Sequence, residues 1–178
     1  MDKAKRQGLI IVNTGHGKGK TTAALGTAFR AAGQGFEIII IQFIKGSWKY
    51  GELEAAKKFD NITITPMGKG FIRLGSAEPE SADCELAEKT WQACEQAILS
   101  GDYDLVICDE VNYALSYKLL SVQRVVETLN NKPSHVHVIL TGRDAPPEII
   151  ELADLVTEMK EIKHPYKKGI SAQRGIEF

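Results

Sequence analysis

Thr14-Gly15-His16-Gly17-Lys18-Gly19-Lys20-Thr21-Thr22 stands between an apolar run, Leu9-Ile10-Ile11-Val12, and an alanine-rich stretch over residues 21–32, and its reading decides the fold. Successive backbone N–H groups can wrap a phosphate only where side chains leave room. Gly15, Gly17 and Gly19 leave that room and permit positive φ. A helix beginning near Lys20 turns its positive dipole end toward the anion. Lys20 supplies a point charge, and the Thr21 hydroxyl is placed to ligate a divalent metal. The usual phosphate-loop pattern carries glycine where this chain has Thr14, so the match rests on Gly19-Lys20-Thr21 and on the strand before and helix after.

Working outward, apolar β-branched runs alternate with helical stretches. Strands are expected at residues 9–12, 38–41, 62–65, 105–108, 136–140 and 155–157, the strongest apolar throughout rather than alternating. Such runs suit strands covered on both faces. Helices are expected at 21–32, 82–99, 122–129 and 147–153; in the second, Ala87, Trp91, Cys94 and Ile98 share one face and Asp83 puts acid near its start. The alternation predicts one domain over residues 1–178: an α/β doubly wound, mostly parallel sheet of the P-loop (RecA-like) kind. Residues 46–77, rich in glycine with lone aromatics Trp48, Tyr50 and Phe71, read as a weak strand within extended loop. A loop that long in a compact domain is usually functional or disordered.

Leu105-Val106-Ile107-Cys108 ends in Asp109-Glu110. Downstream of a phosphate loop, an apolar strand ending in two carboxylates delivers acid to the metal, so Asp109 or Glu110 holds the ion directly or through water. Both motifs fall at strand C-termini, where open α/β sheets bind ligands. Arg143 follows the fifth strand on the same edge and either meets a phosphate or sits at a surface turn. His16 and Lys18 lie within the loop, facing phosphate or solvent, and Thr22 closes it. His135 and His137 alternate along a strand and read as structural.

With 22 Lys and Arg against 23 acidic residues, the chain lacks the surplus positive charge of a general nucleic-acid binder. Cys84, Cys94 and Cys108 have no metal or redox spacing and fit reduced thiols in a reducing compartment. The expectation is a cytoplasmic protein: the short charged start has no signal-peptide pattern, and no apolar run reaches the roughly 18 residues of a membrane span.

The same loop, with Gln42-Phe43-Ile44-Lys45-Gly46-Ser47-Trp48, Asp109-Glu110, Leu140-Thr141-Gly142-Arg143 and the tail from Lys163-His164 through Gly169 to Ala172-Gln173-Arg174-Gly175-Ile176, resembles the ATP:corrinoid adenosyltransferases of the CobA/CobO/BtuR type. The resemblance runs from about Gly8 to Phe178, and threonine for the loop's first glycine is a habit of that family. It implies transfer of the 5′-deoxyadenosyl group of ATP to the cobalt(I) of a corrinoid such as cobalamin, with triphosphate as the leaving group and the nucleotide reversed in the loop. By that resemblance Gly15 to Thr22 and Arg143 meet ATP. Lys20, Thr21 and Glu110 carry catalysis. Thr21, Asp109 and Glu110 hold magnesium or manganese, and Trp48, Phe71 and Arg73 face the corrinoid. Phe71 aligns with an aromatic that displaces the lower axial ligand of cobalt, although on its own residues it anchors the loop equally well. Arg73 stands where better-known members carry tryptophan, and the N-terminal arm is shorter than in many of them. The resemblance further implies a homodimer reduced by a flavoprotein such as flavodoxin. Two other readings of the residues stand beside it: a RecA-like ATPase or kinase acting at the terminal phosphate, and a nucleotide-dependent binding module.

Overall fold

The computed structural model describes residues 6–46, 50–69 and 81–177. Six strands form one sheet: β1 (Ile10–Thr14), β2 (Ile38–Gln42), β3 (Ile62–Pro66), β4 (Leu105–Asp109), β5 (His137–Thr141) and β6 (Leu155–Glu158). Their order is β3-β2-β4-β5-β1-β6, and every pairing is parallel, so the expected mostly parallel sheet is wholly parallel. The strands follow the apolar runs, displaced by one or two residues at their ends.

Because side chains alternate across a strand, the sheet builds two cores. On one face Ile38, Ile40, Leu105, Ile107 and Ile139 pack against Ala24 and Ala28 of α1 (Lys20–Ala32), whose small side chains bring the helix close. The other face carries Val12, Ile41, Val106, Cys108, Val138 and Leu140. Covering it are α3 (Ser81–Ser100), α4 (Val111–Ser116), α5 (Val122–Asn130) and α6 (Pro147–Leu152), through Trp91, Ile98, Leu115, Val125, Leu129 and Ile149. All five residues of β4 are buried, as a central strand with both faces covered requires.

Two helices depart from the sequence expectation. Residues 51–56, read as loop, form α2 (Gly51–Ala56), and α4 begins directly after Glu110 with no connecting loop. A 3-10 turn at Pro165–Lys168 lies in the tail. Cys94 and Cys108 are buried and all three cysteines are free, as read; burial, with the Cys108 thiol beside it, pushes the Cys94 thiol well above its ordinary value.

Strand register sets the site. Ile41, Cys108, Leu140, Val12 and Val156 form one row across the sheet. One residue further on, the row becomes polar: Gln42 opposite Asp109, then Thr141 opposite Asn13. Gln42, Asp109 and Thr141 are fully buried. Polar side chains that deep persist only when they pair, and this row lies at the C-terminal edge, where the loops converge.

Candidate functional site

The loop after β1 turns on Gly15 (φ 93°) and Gly19 (φ 112°), both in the left-handed region that favours glycine. Room matters as much as turning. A Cβ on Gly15 would lie 2.5 Å from the Met159 carbonyl oxygen, and one on Gly17 2.8 Å from that of Lys160, so the glycines also admit the chain leaving β6. Gly17 N–H donates to Met159 O at 2.7 Å and is thereby already committed. Thr14, the departure from the usual pattern, accepts a hydrogen bond at Oγ1 from Ala145 N–H at 3.2 Å, tying the phosphate loop to the loop after β5. That position has its own task here, which the sequence did not disclose.

Lys20 opens α1 and is 8% exposed. Its Nζ donates to Gly15 O at 2.8 Å and Gly17 O at 2.7 Å, folding the ammonium into its own loop. Burial holds the Lys20 ammonium below its ordinary pKa; Glu110, Asp109 and Asp144 pull it up and Arg143 pushes it down. The next residue connects helix to sheet: Thr21 Oγ1 donates to Asp109 Oδ1 at 2.7 Å.

Asp109 accepts from three side chains. Thr141 Oγ1 donates to the same Oδ1 at 2.8 Å, and Gln42 Nε2 donates to Oδ2 at 3.1 Å. Lys45 Nζ stands 3.8 Å from Oδ2 and is itself held by Glu52 from α2. Burial pushes the Glu52 carboxyl up, but Lys45 with Gln42 holds it below its ordinary value.

Glu110 contrasts with its neighbour. Its backbone is left-handed (φ 66°), its N–H donates to Thr141 Oγ1 at 2.8 Å, and its carboxylate has no hydrogen-bond partner among the described residues. Burial, then the Asp109 charge, pushes its pKa up, against Lys20, Lys45 and Arg143. A carboxylate kept desolvated and unpaired beside two lysines is a group held ready for a cation or a proton.

The structure thus brings Gly15, Gly17, Gly19, Lys20, Thr21, Asp109 and Glu110 together at one edge. Arg143 is exposed after β5 with its charge felt at Lys20 and Glu110. Thr22 lies exposed on α1. His16 pairs across the loop mouth with Asp144 at 3.2 Å, both well exposed, and Lys18 pairs with Glu177 of the tail. His135 and His137 are structural, bonded to Gly101 O and Leu9 N–H. Trp48, Phe71 and Arg73 lie outside the described residues. The sequence reading gave no role to Gln42, Lys45, Glu52, Thr141 or Met159; the register between β2, β4 and β5 finds Gln42 and Thr141, and no local pattern finds the others.

Fold and edge together define a P-loop nucleotide-binding protein of the α/β class. Two solved structures share that fold. One is a KaiC-like protein from Pyrococcus horikoshii OT3, with TM-score 0.52 and 17% identity over 88% of this chain and 75% of that one. The other is the genome packaging NTPase B204 of Sulfolobus turreted icosahedral virus 2 in complex with ATP-gammaS, with TM-score 0.51 and 17% identity over 99% and 79%. Within that class the sequence is more specific. The family described as ATP:corrinoid adenosyltransferase BtuR/CobO/CobP matches residues 6–178. Corrinoid adenosyltransferases from Sinorhizobium sp and from Escherichia coli K12 are 44% and 38% identical, over 99% and 97% of this chain and 83% and 86% of theirs. The chain belongs to the ATP:corrinoid adenosyltransferase family.

Proposed function

We propose that this chain transfers the 5′-deoxyadenosyl group of ATP to the cobalt(I) of a corrinoid and releases triphosphate. The observation that carries the reading is the joint of Lys20, Thr21, Asp109 and Glu110 at the C-terminal edge, within a chain of this family. The cobalt(I) electron pair attacks C5′, the C5′–O bond breaks, and its electrons leave with the triphosphate. Catalysis then consists of orientation and of stabilising charge that accumulates on the leaving group. Lys20, released from the carbonyls of Gly15 and Gly17, supplies one positive charge. Loop amides supply more, with the Gly17 amide excepted because Met159 holds it. Gly15, His16, Lys18, Gly19, Thr22 and Arg143 complete the ATP contacts.

A magnesium or manganese ion fits the donors present. Such ions take one or two protein oxygens and fill their shell with phosphate and water, so the want of a three-ligand cluster among the described residues suits them. Thr21 Oγ1 donates its proton to Asp109 Oδ1, so the Thr21 lone pairs face away, available to a cation. Glu110 is the second oxygen donor, with Asp109 behind Thr21. The ion supplies charge neutralisation on the polyphosphate.

Trp48, Phe71 and Arg73 are assigned to the corrinoid on the resemblance described above. A flavoprotein such as flavodoxin as electron donor, a homodimer and a cytoplasmic location belong to the same proposal. No helix among the described residues is long and apolar enough to cross a membrane. The decisive experiment incubates the protein in the dark with ATP, magnesium and chemically reduced cobalamin. A light-sensitive adenosylated product and equimolar triphosphate are expected. Phosphate or diphosphate released without corrinoid would replace this reading with that of an ATPase.

A further inference from the structure

Thr141 hydrogen-bonds both to the Asp109 carboxylate and to the backbone N–H of Glu110. The register places it beside Asp109 on the neighbouring strand, fully buried. Its hydroxyl oxygen accepts from Glu110 N–H at 2.8 Å and donates to Asp109 Oδ1 at 2.8 Å. The direction of this chain is fixed, because an amide only donates and a carboxylate only accepts. Thr21 donates to the same Asp109 Oδ1 from the other side, so two hydroxyls converge on one carboxylate oxygen and link the φ 66° turn of Glu110 to the first turn of α1.

We infer that Thr141 is a positioning residue for the metal–triphosphate site, holding Asp109 so that the Thr21 lone pairs face the cation and holding Glu110 in the left-handed turn that aims its carboxylate. The inference rests on the proposed metal-assisted reading of the site. Two observations make this more than a packing role. A non-glycine residue in the left-handed region persists only when its surroundings over-determine it, and the N–H bond to Thr141 is the side-chain hydrogen bond the structure gives Glu110's backbone. Gly142, next in the chain, has φ 129°, and a Cβ there would lie 3.0 Å from Asn112 Cβ and from Tyr113 N, so the start of α4 is seated against the end of β5. Thr141 thereby bonds the residue on which the chain turns, while Gly142 lets the start of α4 close on the strand end beside it. Thr141 touches no reacting atom; it acts through Asp109, Thr21 and Glu110.

The test compares wild type, Thr141→Ser, Thr141→Cys and Thr141→Val in the full chain. The first readout is inorganic triphosphate binding by calorimetry with and without manganese, and the second is steady-state turnover. Valine keeps the shape and removes both hydrogen bonds; serine keeps both; the thiol keeps weakened forms of each. Thr141→Val is expected to bind metal-free triphosphate like wild type and to lose about tenfold or more of the tightening that manganese confers, the size of effect that outer-shell partners exert on metal sites. Its kcat should fall by a similar factor with KM for ATP nearly unchanged. Serine should restore both readouts to within about threefold, with cysteine between. A valine variant with a lower melting temperature but wild-type manganese dependence and kcat would overturn the inference. If valine does not fold, a cysteine variant indistinguishable from serine overturns it equally. A wild type whose triphosphate affinity ignores manganese would instead remove the reading of the site on which this one stands.

Discussion

The two ends of the sheet carry the same kinds of residue and treat them in opposite ways. At the N-terminal end, Arg6 pairs with Asp104 at 2.7 Å, both nearly buried, and the other Asp104 oxygen accepts from Glu37 N–H at 2.9 Å. Asp154 accepts from Ile10 N–H at 2.7 Å, His137 accepts from Leu9 N–H, and Lys132 donates to Gly8 O. The Arg6 guanidinium lies 3.9 Å over Phe36, whose ring stacks on His137. Asp104, Asp154 and Lys132 each close a backbone group beside the strand starts, and Arg6 closes Asp104. At the C-terminal end Lys20 is folded onto its own loop, Glu110 is strained and raised in pKa, and Asp109 serves to orient its neighbours. At one end the charged side chains are spent on each other and on the backbone; at the other a lysine and a glutamate are left without a charged hydrogen-bond partner among the described residues, as a site that must accept charge requires.

The comparison is sharpest at Lys20. Lys20→Ala should lower turnover by about a thousandfold or more, the scale of losing a charge that acts on a developing anion. Its melting temperature should stay near that of wild type, because the bonds lost are between a lysine and its own loop. Wild-type-like rates would remove Lys20 from the leaving-group role. Asp104→Ala should do the reverse. Breaking one side of a buried pair costs about 3 kcal/mol, which for a chain of this size is a fall of roughly 10 °C in Tm, while kcat of the folded fraction stays within about twofold. Urea melts and turnover on the same samples separate the two ends.

Glu110→Gln tests whether the upper end gives up stability. The folded state raises the Glu110 pKa, so its stability contribution is fully present below the ordinary glutamate range and is lost as pH rises through the raised value. At neutral pH the glutamine variant should be more stable than wild type by about 1 kcal/mol and nearly inactive. The difference should shrink as pH falls toward the ordinary glutamate range. His137 has the opposite sign. Burial, then the Arg6 charge, lowers its pKa, so its contribution is complete above the ordinary histidine value and declines as pH falls below it. Melts of wild type and Glu110→Gln across that range would show whether the variant loses the relief while keeping the histidine-driven decline.

How much of this was legible depends on whether the cause is local. Six apolar runs and the Gly-Lys-Thr loop announced a parallel sheet with a phosphate site, because burial on both faces and room for an anion act within a few residues. The six-residue helices α2 and α4 were not legible; neither starts on a capping residue, α2 following Tyr50 and α4 a left-handed glutamate, whereas the equally short α6 is marked by Pro147 at its first turn. Thr141 and Gln42 looked like ordinary strand ends. Their meaning lies in register, which is set by pairing between strands distant in sequence. The two roles of the loop glycines, turning and admitting Met159 and Lys160, were likewise merged in the sequence, since β6 had to be placed before the second could be seen.

The smallest effect belongs to the contact that crosses from the tail to the loop. Lys18 is about half exposed and its partner Glu177 much less so, and their pair spans the mouth of the phosphate site rather than its floor. An ion pair that open is worth about 0–1 kcal/mol and is screened by salt, so Glu177→Gln should leave the melting temperature within about 2 °C. Its effect on ATP follows from charge. With the carboxylate gone, Lys18 is released toward the polyphosphate and a nearby negative charge is removed, so KM for ATP should fall by about twofold at low ionic strength and return to the wild-type value at high salt. A rise in KM, or a loss of several kcal/mol, would mean that the tail is as saturated and structural as the lower end of the sheet, and the contrast between the two ends would no longer hold.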